Sequence, residues 1–376
     1  MRILKPLRPD ITGDKLDELS LAAATVNIGN ALVDRGHQVD YIGNVDHPWV
    51  RPSSKVYRVD PGSKDQTVAA LAFLLYREEG YDILDFHAQY FSGLAHYDMY
   101  MADRDNVVFT LGPPCNIGRT FYYYHEPLRR LLRHPQFRLV CESNVGSRDP
   151  LMRALGDLDE SKVLTIHSGV VDEKVDPVPF DQKIPRAMTV GHLFPNKQIL
   201  RTLEWAVKYR IHLLLVGRRF PYRSGDKVPP EFDEYAVKCL DMIARNADLI
   251  QHVDFMPHRD LMVEMARSRA LVVYSDIESY GFTPVEAAMV GTPTIWIGGT
   301  GIDDTMSEVL GGLRIDRREY RTWEKRLERG AQLFQELGRL DQLAQPVLIQ
   351  RTTERYSIQA CAQKYETLFQ EILAPA

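Results

Sequence analysis

Short apolar runs alternate with longer segments of helical period along almost the whole chain. The first half contains the strand-like runs RILKPL, QVDYIG, KVYRV, DILDFH, VVFTLG, FRLVCES and VLTIHS, with helical patterns such as LDELSLAAATVNIGNALVDRG between them. Apolar runs of this length, bounded by helical segments, are typical of parallel strands that are buried on both faces. The pattern predicts an α/β fold of doubly wound parallel sheets, with ligands bound at the carboxyl ends of the strands.

The alternation is interrupted once, at DEKVDPVPFDQKIP (172–185), which has three prolines, four acidic residues and no apolar period. It then resumes with AMTVGHL, HLLLVG, QHVDFM, ALVVYSD and PTIWIG, together with a helix predicted over 197–208. A chain of 376 residues is longer than one hydrophobic core usually serves. We therefore predict an N-terminal Rossmann-like domain over 1–175, a linker over 176–186 and a C-terminal Rossmann-like domain over 187–355. The last segment, 356–376, is predicted to be a helix that packs back on the N-terminal domain.

Composition and charge narrow the range of functions. Apolar residues at 44% and charged residues at 26% exclude a disordered or low-complexity chain, and the net charge of -5 argues against broad electrostatic capture of nucleic acid. The four cysteines lack metal-ligand and disulfide spacing, the N-terminus is charged where a secretory signal is apolar, and no apolar run reaches eighteen residues. The expectation is a cytoplasmic protein without a membrane-spanning segment. The oligomeric state is not indicated.

The stretch DIESYGFTPVEAAMVGTPTI (276–295) carries the most informative chemistry, because two carboxylates, Glu278 and Glu286, flank an aromatic-glycine turn. One interpretation is purely structural. Thr283 is predicted to cap a helix that begins at Pro284, so that Glu286 completes a capping box by accepting a hydrogen bond from the backbone of the cap.

The other interpretation of this stretch is functional. The unpaired N–H groups at the helix start, residues 281–285, offer a site for a phosphate or a sugar oxygen. Ionised carboxylates accept several hydrogen bonds each and can hold a vicinal diol. Together these features point to a nucleotide sugar, and both interpretations stay open at this point.

The segment ESYGFTPVE, in which seven residues separate the two glutamates, resembles the signature of the large family of retaining GT-B glycosyltransferases (glycosyltransferase family 4-like). Further segments resemble the same family: MTVGHLFPNKQILRTLEWA, HSGVVDEKVDP, LLLVGRR, VDFMPHRDLM and LVDRGHQVDYIG. The resemblance implies the GT-B architecture, two Rossmann-like domains facing each other across a cleft. It also implies transfer of a hexose from a nucleotide-diphosphate sugar, with UDP as the commonest leaving group, and front-face displacement without a metal or other cofactor.

Residue by residue, the resemblance implies that Lys197 binds the diphosphate, that Glu278 contacts hydroxyls of the donor sugar and that Glu286 contacts the ribose hydroxyls. The backbone at Gly281, Phe282 and Thr283 would approach sugar and phosphate. The remaining implied donor-binding residues are Gly191, His192, Gly217, Arg218, Met256 and Pro257.

Three departures from the family pattern bear on activity. His192 stands where the family has arginine, and three explanations are open. The bound diphosphate protonates His192, or Arg218 or Arg219 supplies the missing positive charge, or His192 has only a packing role beneath its loop. The family's histidine after VVFT is Gly112 here, while His87 matches a second histidine position and is a catalytic candidate; a satisfied strand-end histidine is the alternative. The first strand-helix turn also lacks the family's glycine pair.

The resemblance implies that the N-terminal domain faces the acceptor. A candidate acceptor-binding segment in this domain is GRTFYYYHEPLRRLLRHPQFR (118–138), which interleaves tyrosines with basic residues. Tyr122, Arg129 and Arg130 are candidate contacts to an anionic acceptor: a phospholipid head group, a phosphorylated polyol, or a hydroxymethylated base in DNA, as in phage transferases of similar fold. A surface helix with tyrosines and leucines packed inward is the alternative.

Two further classes compete with the transferase. One is a GT-B epimerase or phosphorylase, although no segment resembles the surroundings of a pyridoxal lysine. The other is a catalytically silent protein that binds a sugar nucleotide and serves a partner. No Asp-X-Asp motif follows a strand, and IDD (302–304) is predicted to start a helix rather than to hold a metal.

Overall fold

The computed structural model describes residues 1–7, 20–45, 48–89, 98–111, 120–156, 159–219, 230–337 and 344–374. The chain forms two compact units. The first consists of Met1–Val171 together with Tyr356–Ala376, and the second of Asp172–Arg355. Each unit is built around its own parallel sheet.

The first unit contains a seven-stranded parallel sheet in the order β3-β2-β1-β4-β5-β6-β7. Its strands are β1 (Arg2–Pro6), β2 (Gln38–Ile42), β3 (Val56–Tyr57), β4 (Ile83–Gln89), β5 (Val107–Leu111), β6 (Phe137–Cys141) and β7 (Val163–Thr165). The helices in its N-terminal part, before Val171, are α1 (Ser20–Asp34), α2 (Asp65–Glu78), α3 (Thr120–Arg133) and α4 (Asp149–Leu155).

Hydrophobic cores cover both faces of this sheet, which is why its strands are apolar at successive positions. Leu4 and Phe109 belong to one core, whereas their chain neighbours Ile3 and Val108 belong to the other. All four side chains are fully buried. The doubly wound parallel arrangement predicted from the uninterrupted apolar runs is confirmed for this unit.

The second unit contains a six-stranded parallel sheet in the order β10-β9-β8-β11-β12-β13. Its strands are β8 (Ile184–Val190), β9 (Leu213–Val216), β10 (Ile250–Val253), β11 (Ser268–Val273), β12 (Thr294–Ile297) and β13 (Gly312–Ile315). Its helices are α5 (Ile199–Tyr209), α6 (Pro230–Arg245), α7 (His258–Arg267), α8 (Phe282–Met289), α9 (Ile302–Val309), α10 (Trp323–Glu336) and α11 (Ala344–Tyr356).

The C-terminal helix α12 (Ile358–Leu373) belongs to the first unit. The hydroxyl of Tyr365 lies 2.8 Å from that of Thr110 on β5, and both residues are buried. Gly169 lies so close to this helix that a Cβ would come within 2.6 Å of the Ile358 Cα. The helix therefore contributes its apolar side to a core of the first unit.

The predicted strands are all present, but the sequence pattern missed β13 and misplaced two boundaries. Strand β13 lies at the edge of its sheet and is only partly buried, so its four residues lack a continuous apolar run. Strand β8 begins at Ile184, inside the predicted linker. The helix predicted from 197 begins at Ile199, because a 3₁₀ turn over Pro195–Lys197 precedes it.

Candidate functional site

The carboxyl ends of β8 and β9 approach each other through two glycines. The Gly191 N–H donates to the Val216 carbonyl over 3.0 Å. A Cβ on Gly217 would stand 1.9 Å from the Gly191 carbonyl oxygen, which no side chain can tolerate. Glycine at 217 is therefore required by backbone packing at this edge of the sheet, a reason independent of any ligand.

Lys197 is placed above this edge by the 3₁₀ turn that follows β8. Gln198, the next residue, has a φ of 51° and starts α5 from a left-handed conformation. The Lys197 side chain passes Gly191, where a Cβ would lie 3.7 Å from its Cγ. Its Nζ lies 2.7 Å from Oε1 of Glu278. With 29% of the Lys197 side chain and 17% of Glu278 exposed, both groups remain accessible to a ligand.

The loop that carries Glu278 follows β11 and is fixed by backbone contacts on two sides. The Asp276 N–H donates to the Asn196 carbonyl over 2.9 Å, and the Gly301 N–H donates to the Glu278 carbonyl over 2.8 Å. Arg317 donates from Nη2 to the Asp276 carbonyl over 3.1 Å. The Lys197–Glu278 pair is thus held by the two chain segments that leave neighbouring strands.

Helix α8 begins at a glycine, which corrects the predicted capping box. Gly281 is the N-cap residue, with a φ of 92°, and it makes no side-chain capping bond; Thr283 lies inside the helix. A Cβ on Gly281 would also come within 2.7 Å of Ile302 Cγ1. The chain turns into the helix two residues earlier than predicted because only glycine fits this conformation and this space. Glu286 is then too far along the helix to serve the cap.

The carboxylate of Glu286 instead meets a histidine that the sequence analysis did not single out. His258, the first residue of α7, lies 3.1 Å from Glu286 Oε1 through Nε2 and 2.6 Å from Glu173 Oε1 through Nδ1. Burial disfavours the imidazolium, but the hydrogen bonds and charges of Glu286 and Glu173 outweigh it and raise the pKa of His258 to about 9. The only sequence signal was a histidine at the start of a helix, which is not specific.

His192 lies in the loop that follows β8, directly after Gly191. Its ring centroid is 6.0 Å from that of Phe194. The neighbouring Leu193 N–H donates to the Arg218 carbonyl over 3.0 Å. The Arg218 guanidinium lies 4.7 Å from the ring centroid of Phe255. Arg219 is paired with Asp233.

Met256 and Pro257 occupy the loop between β10 and α7. Met256 is half-buried, and Pro257 is exposed and is the N-cap residue of α7. They directly precede His258, so the segment implied to lie near the base is continuous with the histidine that contacts Glu286.

The acceptor candidates lie in the first unit and are engaged by their own chain. Arg129 donates to the Leu155 carbonyl at the end of α4, and Arg130 pairs with Asp98. These contacts favour a structural role for both arginines. Tyr122 lies in α3 and His87 in β4, but the side chains of both, and the whole of Gly112, are outside the described residues.

Two features are absent from the part of the chain that the structure describes. Within it, no group of three or more His, Cys, Asp or Glu side chains is arranged to hold a metal ion. None of its helices combines the length and the hydropathy needed to cross a bilayer.

Comparison with known sequences points to one family. Residues 170–330 match the family described as glycosyl transferases group 1. A D-inositol 3-phosphate glycosyltransferase of Mycolicibacterium smegmatis is 27% identical over 204 residues, which cover 50% of this chain. The match spans 43% of the length of that relative.

Comparison with solved structures covers the whole chain. A glycosyltransferase from Rickettsia africae superposes with a TM-score of 0.72 at 16% identity, over 100% of this chain and 99% of its own. A sucrose-phosphate synthase from Thermosynechococcus elongatus superposes with a TM-score of 0.72 at 17% identity, over 100% of both chains. Anabaena HepE, solved in complex with UDP, gives a TM-score of 0.72 at 13% identity, over 99% of this chain and 100% of its own. The predicted GT-B fold is confirmed.

Proposed function

We propose that the protein is a retaining hexosyltransferase that uses a nucleotide-diphosphate sugar, which the match of residues 170–330 to the glycosyl transferases group 1 supports. UDP is the proposed leaving group, which the UDP complex of the structurally similar Anabaena protein supports. The second unit, with Lys197, Glu278 and Glu286, is the proposed donor-binding unit.

The pairing of Lys197 with Glu278 carries this proposal. The ammonium and the carboxylate are 2.7 Å apart, partly exposed, and adjacent to the start of α8. A diphosphate would compete with Glu278 for the ammonium, because it offers more charge and several acceptor oxygens. Glu278 would then be free to accept hydrogen bonds from the donor sugar, so one binding event would place both groups on the donor.

The proposed transfer needs no proton acceptor from the protein. The bond between the anomeric carbon and the phosphate oxygen breaks, and the acceptor oxygen bonds to the same face of the anomeric carbon. The acceptor's proton passes to the departing phosphate oxygen. Lys197 and the N–H groups at the start of α8 stabilise the charge that develops on the diphosphate, which is where such sites gain most of their rate.

The acceptor is proposed to be a hydroxyl of a phosphorylated polyol. The support is the name of the relative from Mycolicibacterium smegmatis, a D-inositol 3-phosphate glycosyltransferase. The contacts of Arg129 and Arg130 within their own unit do not add to this support, because both guanidinium groups already have partners.

The test is a calorimetric titration with UDP, GDP and ADP in EDTA, followed by an assay of UDP-sugar turnover with phosphorylated polyols. We expect one of the three nucleoside diphosphates to bind saturably in the titration. In the turnover assay, the same nucleoside diphosphate should be released from its nucleotide sugar. If none of the three binds, the proposal fails. Binding without turnover across sugars and acceptors would instead identify a silent sugar-nucleotide-binding protein.

A further inference from the structure

His258 bridges two carboxylates that belong to different segments of the second unit. Nε2 faces Glu286 on α8 at 3.1 Å, and Nδ1 faces Glu173, in the segment before β8, at 2.6 Å. A carboxylate only accepts hydrogen bonds, and a neutral imidazole has a single N–H to donate. Two such contacts at once require the imidazolium. The geometry alone therefore places a positive charge between Glu173 and Glu286.

The contact leaves part of the Glu286 carboxylate for a ligand. His258 takes Oε1, and among the described residues none donates to Oε2. The Glu286 side chain is 12% exposed, whereas His258 is 35% exposed. The hydrogen bond from His258 to Oε1 fixes the orientation of the whole Glu286 carboxylate, and therefore also the position of Oε2. A carboxylate that is already oriented loses less conformational entropy when a ligand binds.

From this geometry we propose that His258 is a positioning residue for the donor, holding Glu286 so that its free oxygen accepts hydrogen bonds from the ribose hydroxyls. The inference rests on the proposed function, since it takes the nucleotide as the ligand. The imidazolium also offsets one of the two carboxylate charges that an incoming diphosphate would otherwise meet.

The bridge also makes donor recognition depend on pH. The charged groups that face His258 are Glu286 from α8 and Glu173 from the segment before β8, and both are negative. They keep the ring protonated through neutral pH, and they raise its pKa to about 9. As the pH rises through 9 the ring loses one N–H and can no longer hold both carboxylates. The contribution of the ribose hydroxyls to affinity is then expected to fall.

The experiment compares the affinity of the full-length protein for UDP with that for 2′,3′-dideoxy-UDP, by calorimetry. If wild-type protein prefers GDP or ADP in the preceding titration, the corresponding pair is used. The dissociation constant of 2′,3′-dideoxy-UDP divided by that of UDP reports only on the ribose hydroxyls, because the base and the diphosphate are common to both ligands. His258→Ala is compared with His212→Ala, a control at an exposed histidine that precedes β9.

The expected result is a ratio of about tenfold or more in wild-type protein and in the control, reduced to near one in His258→Ala. Binding of dideoxy-UDP should change less than twofold. An unchanged ratio in His258→Ala, or an equal loss for both ligands, would overturn the inference. Failure of the wild type to bind any nucleotide would instead count against the proposed function, and nucleotide binding with no preference for the hydroxyls would remove only the role assigned here.

Glu173→Gln provides a second variant in case His258→Ala does not fold. The amide keeps an oxygen that accepts from Nδ1 but removes a negative charge, so the imidazolium is less stabilised. The pH at which the affinity ratio falls should therefore move below the wild-type value. An identical pH profile in both proteins would contradict the proposed bridge.

Discussion

The Lys197 ammonium and the Glu278 carboxylate, 81 positions apart in the chain, lie 2.7 Å from each other. They meet because β8 and β11 are neighbours in the parallel sheet, so the segments that follow them leave from the same edge. Each group balances the charge of the other without ligand. A donor that binds here must replace this contact with better ones, so a change at either residue should affect turnover more than folding.

Lys197→Ala is expected to lower donor-sugar turnover by about 100-fold or more, because it removes the ammonium that is proposed to bind the diphosphate. Release of the nucleoside diphosphate under saturating donor is the measurement. Lys208→Ala is the matched control, since its ammonium is half-exposed on α5 and lies 3.8 Å from Glu324. Equal losses in both variants, or turnover retained in Lys197→Ala, would refute the assigned role.

Glu286→Gln is expected to weaken nucleoside-diphosphate binding by about tenfold while the protein stays folded. The thermal midpoint Tm should fall by only roughly 2–4 °C, because the His258 imidazolium loses the charge of one of its two carboxylate partners. The amide retains an oxygen for His258 but loses the charge that strengthens hydrogen bonds to hydroxyls. Calorimetric titration and a thermal scan on the same preparation test this. A lower Tm with unaltered affinity would make Glu286 a structural residue.

Gly217→Ala should lower Tm by roughly 5 °C or more, because its Cβ would lie 1.9 Å from the Gly191 carbonyl oxygen. Relieving this overlap requires the backbone of a strand end to shift, which destabilises the fold. Gly191→Ala is the matched comparison. Its Cβ meets only side-chain atoms at 3.7 Å, and Tm should stay within about 2 °C. Equal Tm values for the two variants would show that the strand ends are farther apart than described.

Lys183 provides a prediction about pH and stability. It is buried, and it donates to the Ala266 carbonyl and, over 2.7 Å, to the Thr292 hydroxyl. Burial lowers the pKa of Lys183 to about 7, whereas an unfolded lysine titrates near ~10.4. Between these values the unfolded state binds the extra proton, so the contribution of Lys183 to the free energy of unfolding rises with pH.

The measurement is the difference in Tm between the wild type and Lys183→Met from pH 7 to pH 9, which should widen by on the order of 3 °C in favour of the wild type. His258 acts in the opposite sense, because its raised pKa gives stability that is full below about 6.5 and is lost as pH rises through 9. It is present in both proteins and cancels in the difference. A constant difference across this range would show that Lys183 keeps its proton when folded.

Much of the fold could be predicted because parallel strands buried on both faces carry continuous apolar runs. Ile3, Leu4, Val108 and Phe109 show why, since neighbours along a strand enter different cores. Strand β13 was not predicted, because it is a short, half-exposed edge strand without a continuous apolar run. The predicted start of α8 was wrong because local capping rules favour Thr283 as the N-cap residue. The N-cap residue is Gly281, because the positive φ and the close approach of Ile302 at this position leave room only for glycine.

The sequence by itself determined the alternation of strands and helices, the spacing of Glu278 and Glu286, and the segments that resemble one family, because all of these are local patterns. Only the tertiary structure decided which groups touch. Lys197 reaches Glu278 because strand order makes β8 and β11 neighbours, and Glu286 meets His258 because α7 and α8 pack side by side. The partner of a charged side chain depends on strand order and helix packing, which no short stretch of sequence encodes.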